Sequence, residues 1–231
     1  MISGIKENLK LGSSLLRYGF QMKTNMILLV LFTVIGIVED FGSKGDYMMG
    51  LYFLAIVSMY ISQFLNGVCM SAMAQSSPYK HEILVEIPTI FHALISGGFF
   101  VLVVVLRFLY SSMGDLSILA IAGPVMFSVM SIMISCYNLL IYRFPVVGYA
   151  FLAVIIMALT FGGTFNVPAD MPEAQPGYLS LPIFSSLTTS IVAGIVILIL
   201  DVALFYGLSV VLYKKSLSRA IFKRAIASAK K

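Results

Sequence analysis

The chain has 231 residues, of which 60% are apolar and only 11% charged, with a formal net charge of +5. A soluble domain of this size cannot cover so much apolar surface, which excludes the ordinary globular classes and makes the bilayer the solvent for most of the chain. The basic residues flank apolar runs instead of building a folded basic face, so no nucleic-acid partner is expected.

In chain order, the first feature is amphipathic. Apolar residues at positions 5, 9, 16 and 20 share one helical face, with Lys6, Lys10, Ser13 and Arg17 around the other sides. This predicts a helix over about 3–20, within a cytoplasmic segment 1–23, lying in the plane of the membrane interface. Its plainer role is an anchor that orients the first span. Six apolar stretches come next, at about 25–41, 47–69, 88–110, 116–141, 145–163 and 183–213. Each approaches or exceeds the roughly 20 residues that a spanning helix needs. The sixth is longer and must tilt, kink or extend beyond the bilayer. The first run starts late and lacks a small-residue cleavage site, so it is read as a retained span and not as a signal peptide. The expected fold class is all-α: a polytopic membrane protein forming one transmembrane domain over 1–231, a bundle of six transmembrane helices with an N-terminal interfacial amphipathic helix.

Thirteen of the 15 basic residues fall on one side of this layout, leaving Lys44, and Arg107 near the outer end of the third span, on the other. Asp40, Asp46, Asp115, Asp170, Glu39 and Glu173 fall on that second side. The positive-inside rule then puts both termini in the cytoplasm of a multi-pass cell-membrane protein. Cys69 and Cys136 lie toward the inner ends of the second and fourth spans, where a reducing compartment disfavours a disulfide.

Three segments outside the spans carry information. Between spans two and three, Ser77 is placed to cap a helix with Pro78 at its first position, predicting a short cytoplasmic helix over about 78–86 before Pro88. Such a helix serves either as a docking surface for a cytosolic partner or as a simple connector. The outer loop 164–182 contains Pro168, Pro172, Pro176 and Pro182, which break helix but stiffen the chain. The basic tail 214–231 spaces Leu217 and Ile221 four apart, as in a short amphipathic helix that meets anionic lipid or an acidic partner surface.

Asp201 interrupts the apolar run of the sixth span. A carboxylate there costs about 3 kcal/mol or more on insertion scales, so it must be neutral, paired or facing water. It is read either as part of a translocation path or as a packing contact with Ser190, Gln63, Asn66 or Asn138; Arg107 is a further candidate partner. Tyr60, Gln63 and Asn66 recur at helical spacing on the second span and form a polar stripe, as path or as helix-to-helix glue. Gly97–Gly98 and the small residues of the sixth span invite close helix approach. Catalytic patterns are missing from the sequence. His81–Glu82 is not followed by the second histidine of a zinc-protease helix, no P-loop is present, and His92 is assigned to packing. No enzyme activity, metal or resident cofactor is expected.

Taken together, the amphipathic helix before the first span, the segment Gln75–Ser76–Ser77–Pro78–Tyr79–Lys80 through Glu86–Ile87–Pro88, the outer loop between spans five and six and the basic tail resemble the membrane subunit of an ABC exporter. That family of permeases carries six spans and no ATPase domain. The resemblance extends over nearly the whole chain in topology. It implies a homo- or heterodimer of permease subunits forming the path, with ATP bound by separate ABC ATPase subunits that dock on the 76–88 loop. On the matching segment the implied docking residues are Ser77, Pro78, Tyr79, Lys80, His81 and Glu82, while Tyr60, Gln63, Asn66 and Asp201 would line the path. Two other classes fit the same spans and charges: a non-transport binding or immunity protein, and an ion-coupled carrier using Asp201 as its proton site.

Overall fold

A computed structural model describes residues 2–17, 22–46, 49–57, 77–114, 116–161 and 181–214. Those residues are helical almost throughout, and no strand occurs among them. In chain order they form α1 (Ile2–Arg17), α2 (Met22–Gly42), α3 (49–57), a π-helical turn Glu82–Glu86 running into α4 (Ile87–Met113), α5 (Ile118–Arg143), α6 (Pro145–Phe161), a 3₁₀ turn Pro182–Phe184 and α7 (Leu187–Tyr213).

Local chemistry sets the boundaries. Ser117 caps α5, its hydroxyl accepting from the Ala120 amide at 3.1 Å. Ser186 and Thr189 form a reciprocal capping box at the start of α7, each side chain accepting from the other's amide at 3.2 Å. These bonds satisfy amides that a helix start leaves without partners. Helices α5 and α6 are separated by one non-helical residue, Phe144. The residue before a proline is disfavoured in the α region, and Pro145 lacks only an amide that the first turn does not need. The chain therefore breaks at Phe144 and restarts at once.

Three helical stretches are long and apolar enough to cross a membrane: Glu82–Met113, Ile118–Ile141 and Leu187–Tyr213. They coincide with the third, fourth and sixth predicted spans. The first, second and fifth predicted spans fall on α2, α3 and α6, with the part of the second beyond residue 57 outside the described residues. Of the segment expected to be helical over about 3–20, the described part falls on α1, and residues 18–20 lie outside the described residues. The loop 164–180 and the tail beyond Lys214 also lie outside the described residues.

Helix α5 is the centre of the packing. Of its most apolar stretch 61% is buried, against 28% and 22% for the stretches in α4 and α7. Leu51, Leu54 and Ala55 of α3, Phe100 and Val103 of α4, and Phe127, Met130 and Ile134 of α5 make one buried apolar cluster. Leu139 packs with Phe205 and Leu212 of α7 in another. The close approach of α4, α5 and α7 runs through Gly194. A methyl group there would stand 2.8 Å from the Phe100 ring and 3.0 Å from the Pro124 carbonyl. Ser128 Oγ crosses the same contact to donate to the Gly194 carbonyl at 2.9 Å. The expected small-residue packing thus holds for the sixth span. At Gly97 and Gly98 an added methyl would meet nothing within 4 Å among the described residues.

The distribution of polarity among the described residues suits a membrane environment. Large apolar side chains face outward along α2 (Ile27, Val34, Val38), α4 (Leu94, Val101, Phe108) and α7 (Val192, Ile199, Val211), whereas Asp40, His92, Arg107 and Asp201 are buried. In lipid, ionisable groups are stable only when turned inward toward partners.

The segment after Ser77 departs from the short separate helix expected over 78–86. A turn at Pro78–Tyr79 leads into a helix that begins at Lys80 and runs without a break into α4. The reason lies in the π-helical register at Glu82–Glu86, where the Ile87 amide donates to the Glu82 carbonyl. A widened turn just before Pro88 accommodates a residue that has no amide and whose ring crowds the preceding turn. Proline here does not end the loop; it is buried inside a continuous helix.

Candidate functional site

Two buried polar clusters and one exposed junction carry the chemistry. The first cluster is built around Asp201, halfway along α7. Asp201 Oδ2 lies 3.0 Å from His92 Nε2 of α4 and accepts from Ser131 Oγ of α5 at 2.6 Å. Ser135 Oγ is 3.1 Å from His92 Nε2 and donates to the Ser131 carbonyl at 2.7 Å. On the other edge of the ring, Ser96 Oγ stands 3.4 Å from His92 Nδ1. The imidazole stacks on Phe205, with ring centres 4.5 Å apart. Both ionisable side chains are 1% exposed. Helical spacing assembles the cluster: His92 and Ser96 are one turn apart on α4, as are Ser131 and Ser135 on α5, and both pairs face Asp201.

These partners differ from those expected for Asp201. Ser190 is buried, but its hydroxyl has no hydrogen-bond partner among the described residues. Arg107 is engaged elsewhere, so the pairing with Asp201 is corrected. Tyr60, Gln63 and Asn66 lie outside the described residues. His92, assigned from sequence to packing, is Asp201's direct partner. The usable signal was the pair of polar stripes, His92/Ser96 and Ser128/Ser131/Ser135, each on one face of an apolar helix.

The second cluster is an ion pair. Arg107 of α4 donates through both terminal nitrogens to Asp40 of α2, at 2.7 and 2.8 Å, and Tyr110 Oη donates to the same carboxylate at 3.0 Å. Both charged side chains are 0% exposed. The Tyr110 ring also lies 5.4 Å from the guanidinium carbon, within cation–π range. Glycines make the room. A methyl group at Gly123 would overlap Arg107 Nε, and one at Gly45 would be 2.7 Å from Arg107 Nη1. Gly45 also has φ +82°, in the turn that ends α2, which favours glycine. Arg107, read as able to reach toward the outer surface, is instead fully buried and bonded to Asp40. A bidentate carboxylate replaces the water that a buried guanidinium gives up.

The third feature is where the sequence-derived docking residues fall. Ser77 Oγ accepts from the Tyr79 amide at 3.1 Å, and the Tyr79 side chain is 62% exposed. His81 Nδ1 is 3.5 Å from Glu86 Oε1, and its ring meets Tyr213 of α7 edge-on at 5.3 Å. Glu86 Oε2 accepts from Asn8 Nδ2 of α1 at 2.8 Å. Nearby, Gly12 of α1 packs so closely on α4 that an added methyl would overlap Phe91. The start of the α4 helix, the end of α7 and the middle of α1 are therefore tied at one end of the bundle, with Pro78 and Tyr79 exposed beside them. Glu82 is separated from His92 by about 15 Å of helix, so the junction and the Asp201 cluster are distinct.

Among the described residues no group of His, Cys, Asp or Glu is arranged to hold a metal ion. Comparison with known protein families, curated proteins and solved structures gave no match. What the described residues define is a class: a helical protein with three helices long and apolar enough to cross a membrane and polar clusters buried among apolar side chains.

Proposed function

We propose that the chain is the membrane-spanning subunit of an ABC-type exporter, working as a dimer of such subunits with separate ATPase subunits docked on the 76–88 segment. All six apolar stretches cross the cell membrane in this reading, and the charge bias puts both termini in the cytoplasm. The observation that carries it is the junction of α1, the π-turn and α7 beside exposed Pro78 and Tyr79. Toward α4, a force applied at Lys80–Glu82 meets no intervening loop. The helix from Lys80 continues into α4, and the Asn8–Glu86 and His81–Tyr213 contacts pass motion to α1 and α7. An ATPase dimer closing beneath two copies would thus favour one of two packings of rigid helices. The ATP is bound by the partner chain.

The test is purification of the tagged chain in mild detergent, with ATP hydrolysis assayed on what accompanies it. The exporter reading expects a co-purifying ATPase that is lost when Tyr79, Lys80, His81 and Glu82 are replaced by alanine. A chain that purifies without ATPase activity contradicts it.

A second reading, an ion-coupled carrier, is favoured by one specific observation: the His92–Asp201 pair, fully buried and without a compensating cation among the described residues. It expects gradient-driven transport that Asp201→Asn abolishes and that needs no ATPase.

A further inference from the structure

The proton positions of the Asp201 cluster are set by its geometry. Ser131 Oγ gives its hydrogen to the nearer and charged acceptor, Asp201 Oδ2 at 2.6 Å, so its 3.3 Å contact with Ser96 Oγ is filled when Ser96 turns its own hydrogen toward Ser131; Ser135 Oγ gives its hydrogen to the Ser131 carbonyl. Ser135 therefore faces His92 Nε2 as an acceptor, and so does Asp201 Oδ2. With both neighbours accepting, the ring hydrogen is assigned to Nε2, where it donates to Asp201. Two acceptor positions stay open: His92 Nδ1, facing the rotatable hydroxyl of Ser96, and Asp201 Oδ1, which is buried with no hydrogen-bond partner among the described residues.

Charge separates the two states of this cluster. With the open positions empty it carries one net negative charge; with one more proton it carries none. An uncompensated charge in such an interior costs several kcal/mol. Among the described residues no cation is at hand to offset it, because Arg107 is bonded to Asp40 and lies about 22 Å further along α4 than His92. The other titratable groups are also unsuited. Cys136 of α5 carries no positive charge in either protonation state. On α4 the preceding ionisable group is Glu86, held by Asn8 of α1 and His81. On α7 the ring is covered by Phe205, which is apolar.

We propose that His92 and Asp201 together form a proton-binding site at the centre of the bundle, taking up one proton on Nδ1 or Oδ1 with the Ser96, Ser131 and Ser135 hydroxyls holding the geometry. The ligand is a proton, and the site rests on this cluster alone, whether or not an ATPase docks on the same chain.

Infrared pH-difference spectroscopy of the full chain in lipid nanodiscs tests this, in a His81→Gln background where ring bands belong to His92 alone. Acidification is expected to produce coupled imidazole and carboxyl bands equivalent to one proton taken up. Asp201→Asn should remove the carboxyl component and alter the ring band. Ser131→Ala, which keeps both titrating groups, should displace the transition along the pH axis, so the proposal stays testable even where the asparagine variant does not fold. A ring band indifferent to both substitutions would overturn the proposal, as would the absence of any pH-dependent band that depends on His92 or Asp201.

Discussion

Arg107 holds both carboxylate oxygens of Asp40, 67 positions earlier in the chain, with neither side chain exposed. The pair joins the end of α2 to α4 at the opposite end of α4 from the junction with α1. Removing one member leaves the other charge buried and alone, which costs about 3–5 kcal/mol, whereas replacing both by apolar residues of similar volume is often near neutral. Arg107→Ala and Asp40→Ala should therefore each destabilise strongly, and Asp40→Leu combined with Arg107→Met should recover most of the loss. Reversible unfolding in detergent, run as a double-mutant cycle, measures this directly. Losses that simply add would show that the two residues are not partners.

The glycines around the pair give a sharper contrast. Gly123→Ala drives a methyl into Arg107 and should cost about 1–3 kcal/mol, the usual penalty for overpacking. Gly98→Ala has open space and a helical backbone, and should be neutral or stabilising by about 0.5–1 kcal/mol. Thermal denaturation of both variants in the same detergent compares them. Equal effects would contradict the packing described around Arg107.

How far the sequence revealed this architecture depends on the kind of information. The third, fourth and sixth spans were legible because hydropathy is a local property, summed over some twenty neighbours. Asp201 was legible for the same reason, as a single charge in an apolar run. Its partner was not, because the contact to His92 bridges 109 positions, and which faces of α4 and α7 meet is decided by packing at Gly194. Arg107 misled for a related reason: near a helix end, a long basic side chain reads as one that reaches for water. The π-turn before Pro88 was invisible to hydropathy, since shifting a hydrogen-bond register changes no residue's polarity.

The tie between α1 and the segment before α4 is a separate prediction. Asn8 Nδ2 donates to Glu86 Oε2, and the bond is only partly buried, so by itself it contributes little to stability. Its value is positional. Cysteines placed at 8 and 86 should be joined by a short bismaleimide linker in isolated membranes, fixing α1 against α4. Asn8→Ala should loosen α1, seen as faster amide exchange across residues 7–14, while leaving the Asp201 cluster protected. Failure of the linker to join the two cysteines would count against this placement of α1.

The central claim, that an ATPase docks on the segment beginning at Ser77, is tested most directly by a photo-cross-linking amino acid at position 79 in intact membranes. Tyr79 is exposed, and its replacement disturbs no hydrogen bond that its side chain makes among the described residues. The account predicts one dominant adduct, to a nucleotide-binding protein, with a yield that changes when ATP hydrolysis is blocked by vanadate. Cross-links to lipid alone, or to proteins that neither bind nor hydrolyse ATP, would contradict it.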